Sequence, residues 1–211
     1  MFARHRTIAP PLVGTYEWIF DQDEEKDDKM RAKLGQFKRW LSNHEPCFWI
    51  NGKAGSGKSS LTSFIESDKR TRDALKIWSG SHELYIFSFF FWRPGSDLQK
   101  SITGLLQSLL YQLVKKIPAV MSAFATSGGT PMHTVWTETT LIGAIAQILP
   151  MYHHDRLFLL VDGLDEFEGQ YLNLVDTLFK LRSGTNIKLC LSSRPEAALI
   201  NRLLYFPSIR L

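Results

Sequence analysis

The chain has 211 residues, 44% of them hydrophobic, enough for one large or two small domains with a full core, and a single domain is expected. A formal charge of +4, carried by lysines and arginines scattered rather than clustered with aromatics, argues against a nucleic-acid surface. No run approaches the ~18 apolar residues of a membrane helix, and the basic N-terminus "MFARHRTIAPP" leads into no apolar core and cleavage site, so neither a membrane span nor a secretory signal is expected.

In chain order, the acidic run Asp21 to Lys29 reads as a solvated loop, an acidic interaction surface being the alternative. Met30 to Leu41 puts Leu34, Phe37, Trp40 and Leu41 at helical spacing, and Cys47 to Asn51 follows as the first core strand. A helix is expected from Lys58 to about Glu66, a short helical piece near Arg72 to Trp78, and a second strand over Leu84 to Phe91. "PGSDLQKSITGLLQSLLYQLVKKIP" offers Pro94, Gly95 and Ser96 or Asp97 as a helix start, a leucine face, and Pro118 as a stop. Ser127 to His133 is a loop and Glu138 to Leu149 a helix. Arg156 to Val161 is a third strand, Tyr171 to Leu181 a helix, Ile187 to Ser192 a fourth strand and Pro195 to Leu204 a helix. Ser208 to Leu211 reads as a strand cut off as it begins. Short apolar β-type runs alternating with amphipathic helices describe an α/β fold with a mostly parallel sheet. Cys47 and Cys190 each sit in an apolar strand-like run and are expected as buried, reduced thiols of a cytoplasmic protein.

The chemistry concentrates in three segments. In "FWINGKAGSGKSSL", Gly52, Gly57, Lys58 and Ser59 have the spacing G-x-x-x-x-G-K-[ST] between an expected strand and an expected helix. Glycines let successive backbone N–H groups turn inward around a phosphate at the positive end of the following helix. Lys58 then reaches the β- and γ-phosphates and the Ser59 hydroxyl ligates Mg²⁺, while Lys53, Ala54, Gly55, Ser56 and Ser60 complete the cradle. A glycine loop that merely caps a helix explains the glycines but not the lysine and serine. In "LFLLVDGLDEFEG", Asp162 at the end of an apolar strand suits a Walker B aspartate holding Mg²⁺. Asp165 and Glu166 follow, and one of the two is expected to orient or deprotonate an attacking water.

The third segment, "LCLSSRPE", ends a strand in Ser192, Ser193 and Arg194. Strand ends on one edge of an open parallel sheet gather where ligands bind, so Arg194 is a candidate for the γ-phosphate, with Ser192 or Ser193 bonding beside it. Arg93 ends another strand and is a weaker candidate for the same place. His153 and His154 lack further ligands at metal spacing and read as exposed loop residues, and the tryptophans read as packing residues rather than base-stacking platforms.

Together, "GKAGSGKSS", "LFLLVDGLDE" and "LCLSSRPE" resemble a NACHT domain of the signal-transducing (STAND) class of P-loop NTPases. "RHRTIAPPLVGTYEWIF", "FWINGKAGSGKSSL" and "FFFWRPGSDLQKSITGLLQSLLYQL" resemble, more narrowly, the NACHT segments of filamentous-fungal NLR-like proteins. The resemblance implies a three-layer P-loop NTPase fold of the ASCE type, with sheet order 5-1-4-3-2, flanked by helices, and places Cys47 and Cys190 on neighbouring strands. It divides the chain into residues 1–44, a linker and helix, and residues 45–211, an NTPase core expected to stop short of the helical and winged-helix segments of the family. It further implies binding of ATP or GTP with Mg²⁺, slow hydrolysis, and a switch in which diphosphate and triphosphate favour different forms, with self-association or other domains of a longer receptor as partners. The carried-over roles are Lys58 to phosphate, Ser59 and Asp162 to Mg²⁺, Asp165 and Glu166 to water, and Arg194 to the γ-phosphate. Residues that read the base are expected around Arg4 to Ile8. A P-loop kinase and a non-catalytic interaction module are the competing functions.

Overall fold

Among the described residues five strands, all paired in parallel, form the sheet: β1 (Cys47–Asn51), β2 (Leu84–Phe90), β3 (Arg156–Asp162), β4 (Ile187–Ser193) and β5 (Ser208–Arg210). The computed structural model describes residues 4, 8, 14–20, 28–117, 119–120, 136–182 and 186–211. The expected loop over Ser127–His133, the stop at Pro118 and most of the acidic run lie outside these residues. Across the sheet the strands run β2-β3-β4-β1-β5, the 5-1-4-3-2 order expected from the resemblance. Parallel strands covered on both faces need apolar side chains at odd and even positions alike, which is why "CFWI", "LFLLV" and "LCL" are continuous rather than alternating.

Strand alternation sorts the core into two layers. Cys47 and Trp49, Phe87 and Phe89, Leu157, Leu159 and Val161, with Leu189 and Leu191, face α4 (Ile102–Lys116), α5 (Glu138–Ile148), α6 (Tyr171–Leu181) and α7 (Ala197–Leu203). Phe48, Ile50, Ile86, Phe90, Phe158, Leu160 and Cys190 face α1 (Asp28–Ser42), α2 (Lys58–Ser67) and α3 (Lys69–Ser79). The second layer is strongly aromatic, with Phe37 and Trp40 of α1 at 5.1 and 5.2 Å from the Phe48 ring. Each such fully buried ring stabilises the fold by roughly 1.5–3 kcal/mol from burial alone. Trp40, Trp49 and Trp78 are core residues, as the packing reading expected. The cysteines lie on the adjacent strands β1 and β4, but Cys47 opposes Leu189 and Cys190 opposes Phe48, so their side chains leave the sheet on opposite faces and both are free thiols.

One helix starts later than its sequence signals suggest. Ser96 and Gln99 form a reciprocal capping box that closes a separate 3-10 turn, Asp97–Gln99, and α4 begins only after Ser101, whose side chain accepts from the Gly104 N–H. The two turns cross at Gly104, where a Cβ would lie 1.6 Å from the Leu98 carbonyl oxygen. Only glycine permits that approach, and the chain uses it to bring Trp92, bonded through its N–H to Gln99 O at 2.8 Å, back to the end of β2.

Three polar side chains, Gln112 and Lys188 buried and Lys116 exposed, settle backbone groups that strands and helices leave over. β2 is the edge strand, and the Gln112 amide of α4 pairs with Ser88 at both its N–H (3.2 Å) and its carbonyl (2.9 Å), while the Lys116 ammonium donates to Ile86 O. On the other face Lys188 of β4, only 1% exposed, donates to Trp40 O, Asn43 O and Glu45 O at 2.6, 2.8 and 3.1 Å, and its ammonium lies over the Trp40 and Trp78 rings. It thereby satisfies carbonyls at and just beyond the C-terminus of α1 and fastens that helix to the sheet.

Candidate functional site

The segment Asn51–Lys58 leaves the C-terminal end of β1 and enters α2 through two glycines in the left-handed region, Gly55 (φ 72°) and Gly57 (φ 89°). An L-residue in that region costs about 1–2 kcal/mol, so the curl depends on glycine there. A cavity of about 290 Å³ opens above it, lined by Ala54 to Ser60 of the loop, by Asp162, Gly163, Asp165 and Glu166 from the end of β3, by Arg194 from the end of β4, and by Arg4. Gly52 and Lys53 do not line this cavity. They supply the carbonyl oxygens to which Lys58 Nζ donates, each at 2.8 Å. Burial lowers the Lys58 pKa from its ordinary value, and the carboxylates of Asp165 and Asp162 act against that shift.

Asp162 is 1% exposed; the Thr62 hydroxyl donates to its Oδ1 at 3.3 Å, and the Ser59 and Ser192 hydroxyls lie beside the carboxylate, the Ser192 one buried without a hydrogen-bond partner of its own. Burial raises its pKa, and the neighbouring hydroxyls of Ser192, Ser59 and Thr62 oppose the rise. Thr62 lies one turn beyond Ser59 on α2 and anchors itself to Lys58 O at 2.8 Å; its i+3 spacing from Ser59 was the sequence signal for it. The two serines that end β4 diverge by strand alternation: Ser192 lies on the side of Asp162 with its hydroxyl buried and unbonded, whereas Ser193 accepts from Trp49 Nε1 at 2.8 Å in the opposite layer, away from the cavity.

After β3 the chain turns through Gly163 (φ 72°) into a 3-10 turn, Leu164–Glu166. Asp165 is 7% exposed and bound to Arg194, through Oδ1 to its main-chain N–H (2.8 Å) and through Oδ2 to its Nε (3.0 Å). Glu166 is half-buried at the rim. Its Oε2 accepts the Arg93 N–H at 3.1 Å and its Oε1 stands 4.0 Å from the Arg4 guanidinium. Arg93 does not line the cavity; its guanidinium donates instead to Asp165 O at 2.7 Å and braces the turn from outside.

Sequence reading missed Tyr16. Its hydroxyl donates to Gly57 O at 3.3 Å and stands where a Cβ on Gly57 would be 2.6 Å away, while its ring packs on Phe64. It therefore supports the loop from behind, a role that a lone tyrosine some forty positions upstream does not advertise. Of the segment expected to read a base, Arg4 and Ile8 are described, and Arg4 reaches the cavity and lies 5.8 Å over the Trp92 ring. His153 and His154 are exposed with their rings 3.7 Å apart, and among the described residues no group of three or more His, Cys, Asp or Glu side chains is placed to hold a metal.

The donor set nevertheless suits Mg²⁺, a hard ion that takes one or two protein oxygens and completes its shell with water and phosphate. Ser59 and Asp162 bring a hydroxyl and a buried carboxylate side by side in the lining of the cavity. A glycine curl over a parallel strand, a lysine and hydroxyl at the start of the next helix, and a carboxylate at the end of a strand two places away define a P-loop NTPase-like α/β domain.

The profile of the family described as "Nephrocystin 3, N-terminal" matches residues 14–194, and the chain belongs to that family. No curated protein sequence matches it significantly. Among solved structures it is similar to Drosophila ORC bound to AT-rich DNA and Cdc6 (TM-score 0.47, 16% identity, 99% of this chain and 57% of that one). C. elegans PCH-2 aligns with TM-score 0.40 and 13% identity over 85% of this chain and 37% of that one, and Drosophila ORC bound to DNA with 0.40 and 15% over 86% and 87%. The chain thus spans little more than a third of the PCH-2 chain and a little over half of the first ORC chain. Among the described residues no helix is long and apolar enough to cross a membrane.

Proposed function

We propose that the chain is a Mg²⁺-dependent, ATP- or GTP-binding NACHT domain that acts as a nucleotide-controlled signalling switch with slow hydrolysis, working in the cytoplasm as part of a longer NLR-like receptor. The observation that carries this reading is the placing of the Ser59 hydroxyl beside the buried carboxylate of Asp162 in the lining of the 290 Å³ cavity, next to a glycine curl and a lysine. When bound, Mg²⁺ would be held by Ser59 and Asp162 and would neutralise charge developing on the phosphates. In this reading the backbone N–H groups of Ala54 to Ser59 bind phosphate oxygens, and Lys58 exchanges the carbonyls of Gly52 and Lys53 for phosphate. Glu166, held at the rim by the Arg93 N–H, orients water, and Arg194 meets the terminal phosphate. Asp165 is the other acidic candidate for the water. The two forms of such a switch differ in population only if diphosphate and triphosphate bind them unequally.

A second reading, a non-catalytic interaction module, draws on the same contacts: the Lys58 ammonium is satisfied by its own loop and the Asp165 carboxylate by Arg194. Fluorescent-nucleotide binding and phosphate release separate the two. The wild-type chain is expected to bind triphosphate with Mg²⁺ and to release phosphate slowly without an acceptor. Lys58→Ala should lose about 10- to 100-fold in affinity, the worth of a charge-assisted hydrogen bond, and Glu166→Gln should bind but not turn over. Binding without release supports the interaction module, and transfer only to an added acceptor a kinase. Absent binding, or binding indifferent to Lys58→Ala, refutes the nucleotide reading.

A further inference from the structure

Resting on that reading, we propose that Asp165 is a positioning residue, which aims Arg194 at the terminal phosphate of a bound nucleoside triphosphate, and that water activation falls to Glu166 alone. The two carboxylates are adjacent in sequence but differ in what occupies them. Asp165 spends Oδ1 on the main-chain N–H of Arg194 and Oδ2 on its Nε, so backbone and guanidinium of one residue are held by one carboxylate. To accept a proton from water, Asp165 would have to release Arg194.

The arginine keeps the rest of its fork. A guanidinium carries five N–H donors in a plane, and engaging Nε leaves the two terminal nitrogens to grip an anion. Among the described residues the Arg194 side chain has no other hydrogen bond or ion pair, half of it is exposed, and it lines the cavity with Lys58 and Ser59. The turn that carries Asp165 is itself immobilised: its carbonyl accepts from Arg93 Nη2 at 2.7 Å and from Tyr171 Oη at 3.2 Å. A fixed turn, a saturated carboxylate and a half-free guanidinium make a preset arm for the charge that distinguishes triphosphate from diphosphate. Glu166 gives Oε2 to the Arg93 N–H, and its Oε1, at the rim and 4.0 Å from the Arg4 guanidinium, beyond hydrogen-bond distance, is the oxygen that can take water.

The test uses the full chain, its Asp165→Asn, Arg194→Ala and doubly substituted forms, and fluorescent diphosphate and non-hydrolysable triphosphate with Mg²⁺. Asparagine conserves shape but has one acceptor oxygen for two N–H donors, so it cuts the link while filling the same space. Each single substitution is expected to lower the triphosphate-to-diphosphate affinity ratio about tenfold, the double form no further, with diphosphate affinity unchanged. Phosphate release from saturating ATP should persist in Asp165→Asn at the Arg194→Ala level and be lost in Glu166→Gln with an unaltered ratio. An unchanged ratio with lost release in Asp165→Asn would make Asp165 a base and overturn the proposal. So would additive effects in the double form, or an equal loss of both nucleotides accompanied by a lower melting temperature. If the wild-type chain binds neither nucleotide, the proposed function itself fails; binding with an unaltered ratio removes only the Asp165 assignment.

Discussion

Replacing Lys188 by methionine tests how a charged side chain survives in the aromatic layer. Methionine keeps the length and most of the volume of lysine but donates nothing to Trp40 O, Asn43 O and Glu45 O. Burial pushes the Lys188 amine down from its ordinary 10.5 to about 7, with the Glu45 carboxylate acting against the shift. Below pH 7 both folded and unfolded chains hold the proton and stability has no slope from this group. Between pH 7 and 10.5 the unfolded chain holds a proton that the folded chain has lost, so stability rises with pH, by about 2 kcal/mol from pH 7 to pH 9. At pH 9 the neutral amine still donates two hydrogen bonds, each worth about 1 kcal/mol net, and Lys188→Met should be less stable by roughly 2–3 kcal/mol. At pH 6, where the wild type bears the cost of a buried ammonium, the two should lie within about 1 kcal/mol of each other. Guanidinium denaturation of both forms at pH 6, 7, 8 and 9 gives the difference directly. A difference that stays flat across this range would refute the reasoning, by showing that three carbonyls and two indole faces hold the ammonium charged despite its burial.

Two other outcomes are expected. Gly104→Ala drives a Cβ to 1.6 Å from Leu98 O, a backbone atom that cannot swing away, and should cost about 3 kcal/mol or more; Gly143→Ala, on an exposed position of α5 with nothing within 4 Å, should stabilise by about 0.5–1 kcal/mol, and thermal melts of the pair would refute the crossing-turn account if both behaved alike. Burial raises Cys47 to about 12 and Cys190 well above its ordinary value, so neither thiol should react with a disulfide reagent at pH 8 until guanidinium unfolds the chain, and rapid labelling of the native protein would contradict the assigned faces.

The sheet was legible because a parallel strand covered on both faces is apolar at most positions, odd and even alike, and "CFWIN", "LYIFSFF", "RLFLLVD" and "IKLCLSS" are read at nearly their observed lengths. The loop was legible for a different reason: its chemistry is local, and glycine, lysine and hydroxyl all lie within the eight residues from Gly52 to Ser59. Helix starts were less so. Ser96 and Ser101 are both good caps, and only the packing of Leu98 against Gly104 shows that the first closes a 3-10 turn and the second opens α4.

What the amino-acid order determined unaided is therefore whatever depends on neighbours along the chain: strand and helix periodicity, the glycine curl, and the acidic turn after β3. What only the tertiary structure decided is how groups far apart in sequence divide a task. Ser192 and Ser193 are equivalent in sequence, yet strand alternation sends one to Asp162 and the other to Trp49. Asp165 and Glu166 are equivalent in sequence too, yet Arg194 lies against one and Arg93 against the other. Tyr16 and Lys188 acquire their roles wholly from helices and loops folded against them. The physical reason is that a hydrogen bond depends on distance and direction in space, and a one-dimensional order constrains these only within about a turn of helix or a pair of strand positions.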